Sequence, residues 1–146
     1  MLARYLSIFA LLIVLSANST LVSGEAEPPG YVFSVTVQTT QQLDVVLNRA
    51  EDLRELFDPD EHSKIAIVLH GNELKLFQKG GYSLNQSMVE RARLLDQDNI
   101  IDIKACQTMM RTLQIEQSEL PSFIEQVPFA PTEIERLEKE EGFTRL

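Results

Sequence analysis

Two residues have the type and placement for chemistry. Cys106 is the only cysteine in the chain, and His70 is one of two histidines. A solitary thiol excludes an internal disulfide framework and a cysteine-based zinc site, and two histidines make a histidine-rich metal centre improbable. What a lone thiol offers is nucleophilic sulfur, since thiolate is the reactive form and nearby helix N-terminal N–H groups favour it. A histidine beside it would serve as base or orienting partner. Each residue also has a plainer reading. Cys106 could be a small buried hydrophobe, where most free cysteines are found, and His70 a loop histidine satisfied by backbone. Spacing alone leaves both readings open.

The elements around them decide where they stand. Residues 31–37 alternate as a strand does, with Phe33, Val35 and Val37 on one face. Thr39 and Gln42 suggest a capping box for a helix whose inward stripe is Leu43, Val46, Leu47, Ala50, Leu53 and Phe57. Asp58-Pro59 should stop that helix. Residues 65–69 are unbroken apolar sequence, the mark of a strand covered on both faces, and they run into His70-Gly71-Asn72. A short segment over 73–78 leads to Lys79-Gly80-Gly81. A helix is expected over 83–97, with Leu84, Met88, Ala92 and Leu95 inward. Residues 100–106 read as a third strand, with Ile101, Ile103 and Ala105 on one face and Asp102, Lys104 and Cys106 on the other. A short helix follows over 107–113. Thr132 and Glu135, after Pro131, suggest a capping box for a last helix with Ile134 and Leu137 inward and Gly142 as its stop. Residues 143–146 suit a final short strand.

Alternating strands and helices predict an α/β domain with a largely parallel sheet and helices on both faces. Ligands of such sheets bind beyond the carboxyl ends of the strands. His70 ends one strand and Cys106 another, so both are expected at that edge.

The remaining clusters carry less. His62 lies in a charged loop and reads as solvated; Asp58, Asp60 and Glu61 form one loop cluster, thin ground for a cation site. Lys79-Gly80-Gly81 has no phosphate-cradling pattern around it. Five glutamates over 133–141 read as a solvated helix face. With 13 basic against 22 acidic residues and a net charge of −9, the chain lacks the basic surface that general nucleic-acid binding needs. Its 146 residues suffice for one domain with a core of its own.

Residues 1–24 have the layout of a secretory signal peptide. Arg4 is followed by an apolar run over 6–17 and the small residues Ser23 and Gly24. The run is too short for a membrane span. The expected organisation is a signal peptide over 1–24, a loose leader over 25–30 and a single domain over 31–146. Export to a bacterial periplasm is expected, with no membrane attachment after cleavage. Met109, Met110, Leu113 and Ile115, followed by Phe123, Ile124, Val127 and Phe129, either complete the core or form a patch that neighbouring subunits cover.

The stretch from Lys64 onward resembles the DsrE/DsrF-like family of small α/β proteins. The resemblance is carried by IAIVLHGNELKLF at 65–77, IDIKACQTMMRTLQI at 101–115 and LPSFIEQVPFAPTEIERLEKEEGFTRL at 120–146. It implies a three-layer α/β/α domain with a mainly parallel sheet of about five strands, assembled as a homo-oligomer, often a trimer or hexamer. It implies a sulfur-relay role, with Cys106 carrying a persulfide, His70 lining the same pocket, and a sulfur donor or acceptor protein as partner. Gly71, Asn72 and Gln107, which flank these two residues, are the candidate ligand-binding positions. No cofactor and no metal are expected. The competing expectation is a non-catalytic, oligomeric periplasmic binding or scaffold protein of the same fold.

Overall fold

A computed structural model describes residues 28–57 and 64–146. The expected signal peptide, the Asp58-Pro59 helix stop, His62 and the 58–61 acidic cluster lie outside the described residues. The described residues form five strands, β1 (Tyr31–Val35), β2 (Ile65–Leu69), β3 (Asp102–Cys106), β4 (Glu125–Val127) and β5 (Thr144–Arg145). The helices are α1 (Thr40–Arg54), α2 (Leu74–Phe77), α3 (Tyr82–Gln97), α4 (Gln107–Leu113) and α5 (Ala130–Glu140). All strand pairs are parallel and the sheet order is β4-β3-β2-β1-β5.

That order explains the three layers. From β1 to β4 the chain steps across the sheet in one direction, and right-handed crossovers put the intervening helices on one face. The step from β4 to β5 runs back the other way, so α5 lies on the opposite face. The two cores agree with this. Phe33, Val35, Ile65, Ile67, Leu69, Ile103 and Ala105 pack with residues of α1, α3 and α4. The alternate side chains Val32, Ala66, Val68 and Cys106 pack with Ala130, Ile134 and Leu137 of α5. Every residue of β2 is buried, as its unbroken apolar run requires.

Several local expectations are corrected by the structure. Thr39 caps α1 by accepting the Gln42 N–H at 3.2 Å, but the Gln42 side chain accepts from Gln38 N at 2.9 Å, one residue before the box position. Leu84 is not inward; it is 88% exposed. The buried stripe of α3 is Met88, Val89, Ala92 and Leu95, so the inward line passes through Asn85 and leaves Leu84 about 100° to one side. The expected box at Thr132 is absent. α5 begins at Ala130 with Phe129 as its cap residue and no side-chain cap, and Pro131 occupies the first turn. Thr132 is therefore already helical, and Glu135 pairs with Lys139 instead. Gly142 has φ +75° and ends α5 as expected.

Candidate functional site

Leu69 lies beside Ala105 in the β2–β3 ladder, so His70 and Cys106 follow at adjacent strand ends on the carboxyl edge of the sheet. Cys106 faces α5, and by strand alternation His70 does the same. The fold thus brings both candidate residues to one edge and one face. Among the described residues no hydrogen bond joins them. His70 Nε2 instead pairs with Ser34 Oγ at 2.9 Å. Ser34 has no sequence motif; its signal is only that it alternates with the buried Phe33 and Val35. Burial lowers the His70 pKa below its ordinary 6.5, an effect that its backbone hydrogen bond opposes and the positive charge of Arg145 reinforces. The imidazole is therefore neutral at pH 7, the form that can accept a proton.

Cys106 is 3% exposed. Its neighbours across the second core are apolar, but its sulfur is not surrounded by hydrocarbon alone. The backbone N–H of Ala130, the first residue of α5, donates to Sγ at 3.4 Å. This contact explains why α5 lacks a conventional cap: one of its orphan N–H groups is satisfied by a sulfur from another strand. Cys106 is also the residue immediately preceding α4, with extended backbone at φ −74° and ψ 111°. On its other side Val127 of β4 pairs with it in the sheet.

Two residues earlier on the same face, Lys104 is 5% exposed. Its ammonium meets three carboxylates: Asp102 at 3.0 Å, Glu133 at 3.6 Å, and Glu125 by a short hydrogen bond. Burial works against its charge, but the hydrogen bonds and fields of Glu125 and Asp102 outweigh that and raise its pKa above the ordinary value. Glu133 is held ionised, first by its hydrogen bonds from Arg136 and then by the field of Lys104, against its own partial burial.

The turn after β2 holds a second buried charge-bearing group that sequence reading missed. Glu73 is fully buried, and its Oε1 accepts the Gly71 N–H at 2.6 Å. Its Oε2 is buried without a hydrogen-bond partner. Burial raises the carboxyl pKa above its ordinary 4.5, more than the surrounding backbone N–H groups lower it. Gly71 is needed beside it, because a Cβ there would lie 2.6 Å from Glu73 Oε2 and 3.2 Å from the Thr36 Cα. The local pattern of apolar and polar residues around position 73 gives no sign of burial, so nothing in it separated Glu73 from a solvated turn glutamate.

The remaining candidate positions diverge. Asn72 is exposed in the turn. Gln107, half-buried at the start of α4, lines a hollow of about 610 Å³ with Met110, Arg111 and Gln114. Neither Cys106 nor His70 lines it. Among the described residues no group of three or more metal-ligating side chains is assembled, and no helix is long and apolar enough to cross a membrane.

Neither a family model nor a curated protein sequence matches the chain. Among solved structures, a protein of unknown function from Methanobacterium thermoautotrophicum shares the architecture, with a TM-score of 0.64 and 14% identity over 80% of this chain and 96% of that one. The likeness establishes an α/β fold with a five-stranded parallel sheet and helices on both faces.

Proposed function

We propose that the protein is a sulfur carrier of the DsrE/DsrF-like kind, exported and homo-oligomeric, with Cys106 as the sulfur-bearing residue. The observation that carries this reading is the Ala130 N–H directed at the sulfur of the chain's single cysteine, at the carboxyl edge of a parallel sheet. The Cys106 thiolate attacks the outer sulfur of a sulfane donor. An S–S bond forms to Cys106 and the donor's S–S bond breaks, its electron pair leaving with the remainder of the donor: a thiolate from a persulfide, sulfite from thiosulfate, or a shortened polysulfide anion from polysulfide. The bound persulfide is an anion, and the Ala130 N–H at the start of α5 suits it. An acceptor thiolate then takes the outer sulfur and returns Cys106 as thiolate, with no net redox change. Neutral His70, at the neighbouring strand end, is the local group able to take the proton of an incoming thiol.

Intact-mass measurement after treatment with thiosulfate or polysulfide tests this. The expected result is a gain of one sulfur atom on the native protein and none on Cys106→Ser. No gain on the native protein, or equal gain on the variant, overturns it. The 3% exposure of Cys106 favours the second reading, a binding or scaffold protein in which the thiol only packs. That reading requires Cys106→Ala to retain whatever partner the protein holds.

A further inference from the structure

The sulfur is buried, so any reagent must first open something. It belongs to the core formed by the sheet and α5, with Met109 of α4 packed against it. It also meets the connection from β4 to α5, whose Pro128 and Phe129 are exposed and whose Ala130 supplies the N–H to sulfur. The connection lies on the protein's surface, so its Pro128 and Phe129 have little burial to lose on opening.

Its two ends are held by the same ammonium. Glu125, in β4, and Glu133, in the first turn of α5, both pair with Lys104. The segment between them contains Val127, paired with Cys106 in the sheet, and Ala130, bonded to its sulfur. Thr108 adds one tie, donating to the Pro128 carbonyl at 3.0 Å. Lys104 stands on the strand and face that carry Cys106, two residues before it. An almost fully buried ammonium is costly unless it is well paired, and removing it leaves three carboxylates facing one another.

We infer that Lys104 is a positioning residue for the thiol: it clamps both ends of the β4–α5 connection, keeps the Ala130 N–H on the sulfur, and sets how often Cys106 becomes reachable. The inference rests on the reading of Cys106 as the reactive residue, but its test needs no sulfur transfer.

The rate of iodoacetamide alkylation of Cys106 is measured on the folded protein for wild type, Lys104→Met, Lys104→Arg and Leu47→Ala. Leu47 is buried in the opposite core, so Leu47→Ala reports what general destabilisation alone does. Lys104→Met is expected to react roughly tenfold faster than both wild type and Leu47→Ala, because local opening governs access. Lys104→Arg, which keeps the charge, is expected to return most of the protection. A wild-type rate in folded Lys104→Met overturns the inference, as does equal acceleration in Leu47→Ala. Should Lys104→Met not fold, Glu125→Gln serves instead, since Glu125 is largely exposed and joins only one end of the clamp. Several-fold acceleration there supports the inference and an unchanged rate overturns it. Alkylation that follows this pattern without sulfur uptake keeps the clamp and discards the carrier; sulfur uptake at a rate indifferent to Lys104 does the reverse.

Discussion

Glu73 shows how one side chain can couple a turn to pH. Its carboxyl sits under the His70-Gly71 turn, accepts one N–H and leaves the other oxygen buried without a partner. The folded-state pKa is raised, so the unfolded chain loses this proton first as pH rises. Above the ordinary value of 4.5 the folded state binds more protons than the unfolded one, and Glu73 then costs stability progressively up to its raised value. His70 acts in the opposite sense. Its pKa is lowered, so its cost appears as pH falls below 6.5. Glu73→Gln keeps the carbonyl that accepts from Gly71 and removes the ionisation. We expect Glu73→Gln to lose less stability than wild type between pH 4 and pH 8, because its side chain does not ionise over that range. Urea denaturation at the two pH values checks this, and equal effects at both would exclude the raised carboxyl as the cause.

The helices differ in what they contribute. α5 is the one described helix on its face of the sheet, and it buries Ala130, Ile134 and Leu137 against Val32, Ala66 and Val68. Leu137→Ala should cost about 2–4 kcal/mol, the range for a buried leucine whose neighbours cannot collapse onto the void. Leu84→Ala should stay within about 0.5 kcal/mol of wild type because the side chain is in solvent, despite its place in a helical apolar pattern. Denaturation of both variants separates the two positions; a cost above about 1 kcal/mol at Leu84 would mean that another surface covers it. α5 also closes the thiol site, because its first amide binds the sulfur and its first-turn Glu133 reaches Lys104. Loss of α5 docking would therefore expose Cys106 as well as the second core.

At the scale of the molecule, the segment after Cys106 resolves one of the two expectations placed on it. Met110, Ile115, Ile124 and Val127 are buried, while Met109, Leu113 and Phe123 pack against the core. They complete the domain. Phe129, 48% exposed beside the thiol site, is the member of that group left in solvent. For the proposed homo-oligomer, light scattering of the native protein is expected to give a multiple of the protomer mass. A monomeric native protein would remove oligomerisation from the proposal.

Pattern was enough for the alternating strands and helices, the central buried strand, the final short strand and the stop at Gly142, because each depends on local periodicity or backbone freedom. Pattern also placed His70 and Cys106 at strand ends on one sheet edge, since parallel order and alternation follow from the same periodicities. It could not show β4, three residues long with only Val127 buried, because that strand exists through its hydrogen bonds to β3. Nor could it show that Cys106 stands in for a cap on α5, that Lys104 holds three carboxylates, or that Glu73 is buried. Each of these depends on a partner 20 or more residues away or on how deeply the chain covers a side chain. Such contacts are settled when the sheet closes and the last helix crosses back over it, which no local window of sequence contains.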